Sequence, residues 1–132
     1  MAKKSYITQA DELFLLAKKE LNSAKRLDSE AIARDACGKA WIATTDALLG
    51  FLISKGVKEK QLPKSERQRH DYLATYGDEK MRLLYRSLKG GIHQEAYYDG
   101  IINYTFLFEA LKNVKQFIYR CHNGTKNGSG KV

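Results

Sequence analysis

Arg86 and His93 stand with six residues between them, bracket Lys89-Gly90-Gly91, and run into Tyr97-Tyr98-Asp99-Gly100. A guanidinium grips phosphate in a planar fork, and an imidazole moves a proton near neutral pH. Lys89 and the backbone N–H groups of Gly90 and Gly91 can add anion contacts. Tyr97, Tyr98 or Tyr85 can stack a base. Each residue also has a structural reading. A histidine at a helix start fixes a turn, Arg86 can pair with Glu79, Glu95 or Asp99, paired tyrosines pack, and paired glycines stop a helix. Other chemistries find no pattern. There is no phosphate-binding glycine loop, no dinucleotide fingerprint, no Glu-x-x-His pair for a di-iron site and no nucleophile elbow. His70 and His122 have no partner pattern, and no cofactor is expected.

These residues need elements to carry them, and the hydrophobic spacing predicts helices throughout. The first helix is expected over roughly 8–27, starting near Thr8 with Leu13, Leu16, Glu20, Ala24 and Leu27 at helical spacing. The second spans roughly 29–55, capped by Asp28 or Ser29 and ended by Gly56 in a left-handed conformation. Its stripe Ala36, Ala40, Ala43, Ala47 lets a neighbour approach closely, and Trp41, Leu48, Phe51 and Leu52 supply bulk, so this helix is expected to be central. A polar connection covers 57–64. A third region, roughly 65–89, breaks near Gly77-Asp78, with Asp78 as cap, and Leu83, Leu84 and Leu88 form its apolar face. Gly90-Gly91 ends it, because a glycine costs about 1 kcal/mol in a helix interior. The last helix covers roughly 94–121, with Ile101, Thr105, Phe108, Leu111 and Ile118 on one face and Gly100 as a weak point or a place of close packing. The expected fold is all-α, an antiparallel four-helix bundle of four to five helices. It occupies 1–122 and is followed by a flexible tail over 123–132.

The chain has 132 residues, enough for one domain with its own core and no need of a disulfide or metal. Hydrophobic residues make up 43% and charged residues 29%, which excludes intrinsic disorder. The net charge of +8 suits nucleic acid, an anionic surface or an acidic partner, or equally a solvated lysine-rich surface. The densest basic stretch, Lys55 to Arg69, surrounds Pro63. Cys37 and Cys121 lack metal-ligand spacing. Met1-Ala2-Lys3-Lys4 leads into a mixed amphipathic segment, and no apolar run approaches the ~20 residues of a membrane span. A cytoplasmic protein with no membrane contact is expected.

A long alanine-rich helix ending at Gly56, a basic loop, a broken third helix, Arg86 and His93, and then Tyr97-Tyr98-Asp99-Gly100 resemble the HEPN superfamily over roughly 28–105. The resemblance implies a bundle of four to five helices, often a two-fold homodimer. It implies either a metal-independent endoribonuclease of toxin–antitoxin, defence or RNA-processing type, or a non-catalytic relative that binds nucleotides. Partners would be RNA or a nucleotide, and an antitoxin or a nucleotidyltransferase-type protein. In active members an arginine and a histidine separated by four to six intervening residues form the site, a spacing that Arg86 and His93 meet at its long limit, which assigns catalysis to them. Here Ser87 follows the arginine where Asn, Asp or His is common. On a continuous α-helix Arg86 and His93 would stand about 10 Å apart on one face.

In such a site His93, with an ordinary pKa of ~6.5, serves as base or acid toward the 2′-hydroxyl, and Arg86 stabilises the phosphorane. Lys89, Gly90, Gly91, Tyr97 and Tyr98 bind RNA or nucleotide. The alternative is a helical interaction module without catalysis. Asp46, polar beside an apolar stripe, is expected to face Arg86 or a dimer surface.

Overall fold

In the computed structural model, which describes residues 5–127, short polar side chains set the helix starts. Ser5, Ser29, Ser65 and Asp78 accept from the N–H groups of Thr8, Ile32, Gln68 and Met81, filling donors that a helix start leaves open. The helices that follow are α1 (Tyr6–Leu27), α2 (Glu30–Ser54), α3 (Glu66–Tyr76) and α4 (Glu79–Leu88). A π-helix (Lys89–Tyr98) continues α4 directly, and α5 (Tyr104–Asn127) starts at Asn103, whose Oδ1 accepts from Phe106 N–H at 3.0 Å. A short 3₁₀ turn, Glu59–Gln61, lies between α2 and α3. The described residues are all helix and connection, with no strand.

The expected break at Gly77-Asp78, with Asp78 as cap of the second piece, and the expected stop at Gly56 are present, the latter at φ +98°. Asp28 adopts φ 53° to end α1, so Ser29 is the cap of α2. Gly90-Gly91 does not end a helix. The backbone widens there into the π-helix, and the break falls ten residues later at Gly100, with φ +70°. The last helix is therefore two elements, and Ile101 and Thr105, expected on its apolar face, are exposed. Its far end continues through Asn127, and Gly124 lies against α2. A Cβ there would stand 2.7 Å from Phe51 Cε1. Of the tail expected from 123, residues 128–132 lie outside the described residues.

The alanine stripe works as expected. Ala36, Ala40, Ala43 and Ala47 are all buried, with Trp41, Leu48, Phe51 and Leu52 beside them, and α1, α3, α5 and the π-helix all pack on α2. The face of α1 is corrected. Ile7, Ala10, Phe14, Ala17, Leu21 and Ala24 are buried, while Leu16 and Leu27 are exposed. Alanines at 10, 17 and 24 match the small residues of α2 and let the two backbones close up, which outweighs leucine bulk. Leu83 of α4 likewise points outward, and Met81, Leu84, Tyr85 and Leu88 face the core. The polar connection contributes buried Val57, Leu62 and Pro63.

Against the expectation of no spanning-length run, α2 is long and apolar enough to cross a membrane by length and composition, with a window of mean hydropathy 1.2. Of that window 56% is buried inside the bundle, and a core helix passes the same test.

Asp46 makes no ion pair with Arg86 among the described residues. It is half-buried on α2, and burial pushes its carboxyl up to about 6 from 3.8. A group with a raised folded value contributes stability below its unfolded value and loses it as pH rises through the folded one. Asp46→Asn should therefore stabilise the protein at pH 7, by about 1 kcal/mol once solvent screening at a half-buried position is counted. It should also flatten the slope between pH 4 and 6. Urea unfolding at pH 5 and 7 reads both, and unchanged stability at pH 7 would refute the desolvation.

Candidate functional site

Three α2 residues at i, i+4 and i+7, Arg34, Gly38 and Trp41, share one face and seat the π-helix. Trp41 stacks on His93, with ring centroids 4.7 Å apart and planes 14° apart. A Cβ on Gly38 would stand 2.9 Å from Tyr97 Cε1, so only glycine lets that ring lie against α2. Arg34 donates from Nε and Nη2 to the Tyr97 carbonyl at 2.9 and 2.6 Å, and from Nη2 to the Tyr98 carbonyl at 2.9 Å. It thus caps carbonyls left open where the π-helix ends. Gly100 makes room for this fork, since a Cβ there would be 3.3 Å from Arg34 Nη1.

The result is an aromatic row. His93 lies parallel to Tyr97 (6.5 Å, 9°) and edge-on to Tyr98 (5.0 Å, 69°). Behind Trp41 the row continues through Tyr85 at 5.3 Å to Phe117, 5.9 Å beyond. Tyr98 is 62% exposed and Tyr97 39%, so both offer a ring to a ligand. Tyr85 is 4% exposed and offers none, which removes it from the base-stacking candidates. Burial holds the His93 imidazole below its ordinary 6.5. The nearby Glu66 carboxylate opposes that shift, and Arg69 and Lys89 reinforce it. His93 is therefore neutral at pH 7 and able to accept a proton.

Glu66 ties this row to α3. Its Oε1 accepts from Tyr85 OH at 2.9 Å and from Arg69 Nη2 and Nε at 3.1 and 3.3 Å. Arg69 Nε also donates to Tyr85 OH at 3.0 Å. Burial, and then the Glu66 charge, push the Tyr85 phenol well above its ordinary range. Lys89 Nζ stands 3.8 Å from Glu66 Oε2.

Arg86 lies exposed on α4 and makes no ion pair among the described residues, with Glu79, Glu95 or Asp99 or otherwise. It lines a groove of about 440 Å³ between α3 and α4, together with Arg67, His70, Arg82 and Lys89. Glu66 and Asp71 are the carboxylates there, against four cations. His93 does not line this groove, so Arg86 and His93 do not converge on one cavity. Lys89 and Glu66 stand between their two surfaces. Gly90 and Gly91 lie within continuous helix, where N–H groups point back along the ladder instead of forming an anion nest, and Gly91 is buried beneath Phe106.

Arg67, Arg82, Glu66, Arg69 and His70 were not singled out from sequence as site residues, nor was Trp41 beyond its bulk. Arg82, Arg86 and Lys89 fall at i, i+4 and i+7, a spacing that puts them on one helix face, but only if the helix continues past Leu88. Among the described residues no group of His, Cys, Asp and Glu is arranged to hold a metal ion. Burial pushes the Cys37 thiol up to about 11, far from a reactive thiolate. No family model, curated protein or solved structure matches the chain.

Arg34→Ala should leave the Tyr97 and Tyr98 carbonyls uncapped and destabilise the fold by about 1 kcal/mol, the worth of a charged hydrogen bond at an exposed position. Hydrogen exchange should rise first over 93–98. Unchanged protection there would contradict the capping role.

Proposed function

We propose that the chain is a HEPN-like antiparallel helical bundle that binds RNA or a nucleotide. The basic groove takes the phosphates and the exposed tyrosines stack a base. The observation that carries this reading is the convergence of Arg67, Arg82, Arg86 and Lys89 around one groove, against two carboxylates. Arg86 and Arg67 are exposed and make no ion pair among the described residues, and each presents a fork suited to a phosphate. Lys89 and Tyr98 stand at opposite ends of the π-helix, and the exposed Tyr98 ring is available to stack a base. His93, neutral at pH 7, is the group able to take a 2′-hydroxyl proton if bound RNA is cleaved. A two-fold homodimer of the kind the resemblance implies would supply a second Arg86 and His93.

A second reading is a helical interaction module without catalysis. It is supported by exposed apolar side chains on the first two helices, Leu15 and Leu16 of α1 and Ile42 and Ile53 of α2.

Single-stranded RNA titrated into the protein separates the two. Binding should weaken steeply with salt, and Arg86→Ala should lower affinity by roughly tenfold, the loss of one charged phosphate contact. Salt-independent binding, or none, would favour the interaction module. The same RNA incubated in EDTA tests cleavage, and His93→Ala should abolish any scission that Arg86→Ala also abolishes. Scission surviving both would exclude this site.

A further inference from the structure

Glu66 stands against the charge of the groove it lines. Its Oε1 is fully engaged by Tyr85 OH and the Arg69 guanidinium, which fix the carboxylate in place. Its Oε2 is left facing Lys89 Nζ at 3.8 Å, an ion-pair contact longer than a hydrogen bond. Glu66 and Lys89 side chains keep 30% and 35% exposure, so the pair opens to solvent. A fixed carboxylate oxygen thus occupies the side of the ammonium where a phosphate oxygen would sit. Lys89 has a flexible stem and three donors, so it can exchange one anion for another without moving the backbone. Arg86, with no such partner among the described residues, needs no exchange.

We propose that Glu66 is an internal counter-anion of the groove, which occupies Lys89 until a phosphate group of RNA replaces it. The inference rests on the phosphate-binding reading above and adds an element of specificity. A ligand must carry enough negative charge to reach Arg86 and displace Glu66 from Lys89 together, which favours a phosphodiester chain over a single carboxylate. The neighbouring Arg69 is not freed in the exchange, because Oε1 keeps it.

The test is a double-mutant cycle with a short single-stranded RNA, titrated by fluorescence anisotropy at one low ionic strength against the parent, Glu66→Gln, Lys89→Ala and the double variant. Glu66→Gln should bind about threefold tighter, as expected when one partly exposed ion pair is released. Lys89→Ala should bind more weakly, and the gain from Glu66→Gln should vanish in its presence. Glu66→Asp, which shortens the reach toward Lys89 and keeps the charge, should give a smaller gain with the same dependence and guards against a folding defect in the amide variant. An equal gain with and without Lys89 would mean a general change of field and would overturn the inference. Unchanged or weaker binding by Glu66→Gln, beside a parent that binds, would also overturn it while leaving the groove intact. Binding by none of the proteins would overturn both this inference and the proposed function.

Discussion

The close approach of the π-helix to α2 is the contact on which the candidate site depends. Gly38 removes the one side-chain atom that would push Tyr97 away, Trp41 supplies a flat surface for His93, and Arg34 takes up the carbonyls with which the segment ends. These three residues form one stripe of α2, while the alanines Ala36, Ala40, Ala43 and Ala47 make close contacts with the core. A single helix thus serves as core and as template. Small residues set the distance at which neighbours lie, and a few large or charged ones fix their register. A ten-residue π-helix is unusual, and such helices are mostly single-turn bulges found at functional sites. Here His93, within the π-helix, stacks on Trp41, and Lys89, its first residue, stands against Glu66 of α3.

Two surfaces follow from that placement. One is the aromatic row ending in Tyr97 and Tyr98. The other is the groove between α3 and α4 with Arg86 in its wall. Tyr85 and Glu66 join them, since the Tyr85 ring packs on Trp41 while its hydroxyl bonds Glu66 in the groove. Electrostatics divides the labour. Burial holds His93 below its ordinary pKa against the opposing Glu66 carboxylate, with Arg69 and Lys89 adding to the shift, while the groove carries four cations against two carboxylates.

The sequence revealed the all-helical character, the caps at Ser29 and Asp78, the stop at Gly56 and the central role of α2, because these rest on local signals and on alanines at helical spacing. It misplaced what depends on packing across the fold. The spacing of α1 puts Ala24 on its inner face together with Leu16 and Leu27, but those two leucines are exposed and Ala10 and Ala17 face the core, and only knowledge of the partner helix shows that smallness matters there. Gly90-Gly91 was read as a stop on intrinsic cost. In the structure Phe106 covers Gly91, which needs a residue without a side chain, and the cost is offset by that contact. Arg86, His93, Tyr97 and Tyr98 were legible as candidates by chemical type. Their division between two surfaces was not, because it follows from the π-helical turn and from Glu66 and Arg69 arriving from α3.

On the proposed function, the groove and the aromatic row act as one ligand surface, joined through Glu66 and Lys89. Backbone and side-chain chemical shifts, followed during titration with a short single-stranded RNA, test it most directly. Shifts should appear together over 66–71, 82–89 and 93–98 with one saturation curve. Shifts confined to other surfaces such as the exposed face of α1, or two curves with different midpoints for the groove and the tyrosines, would contradict it.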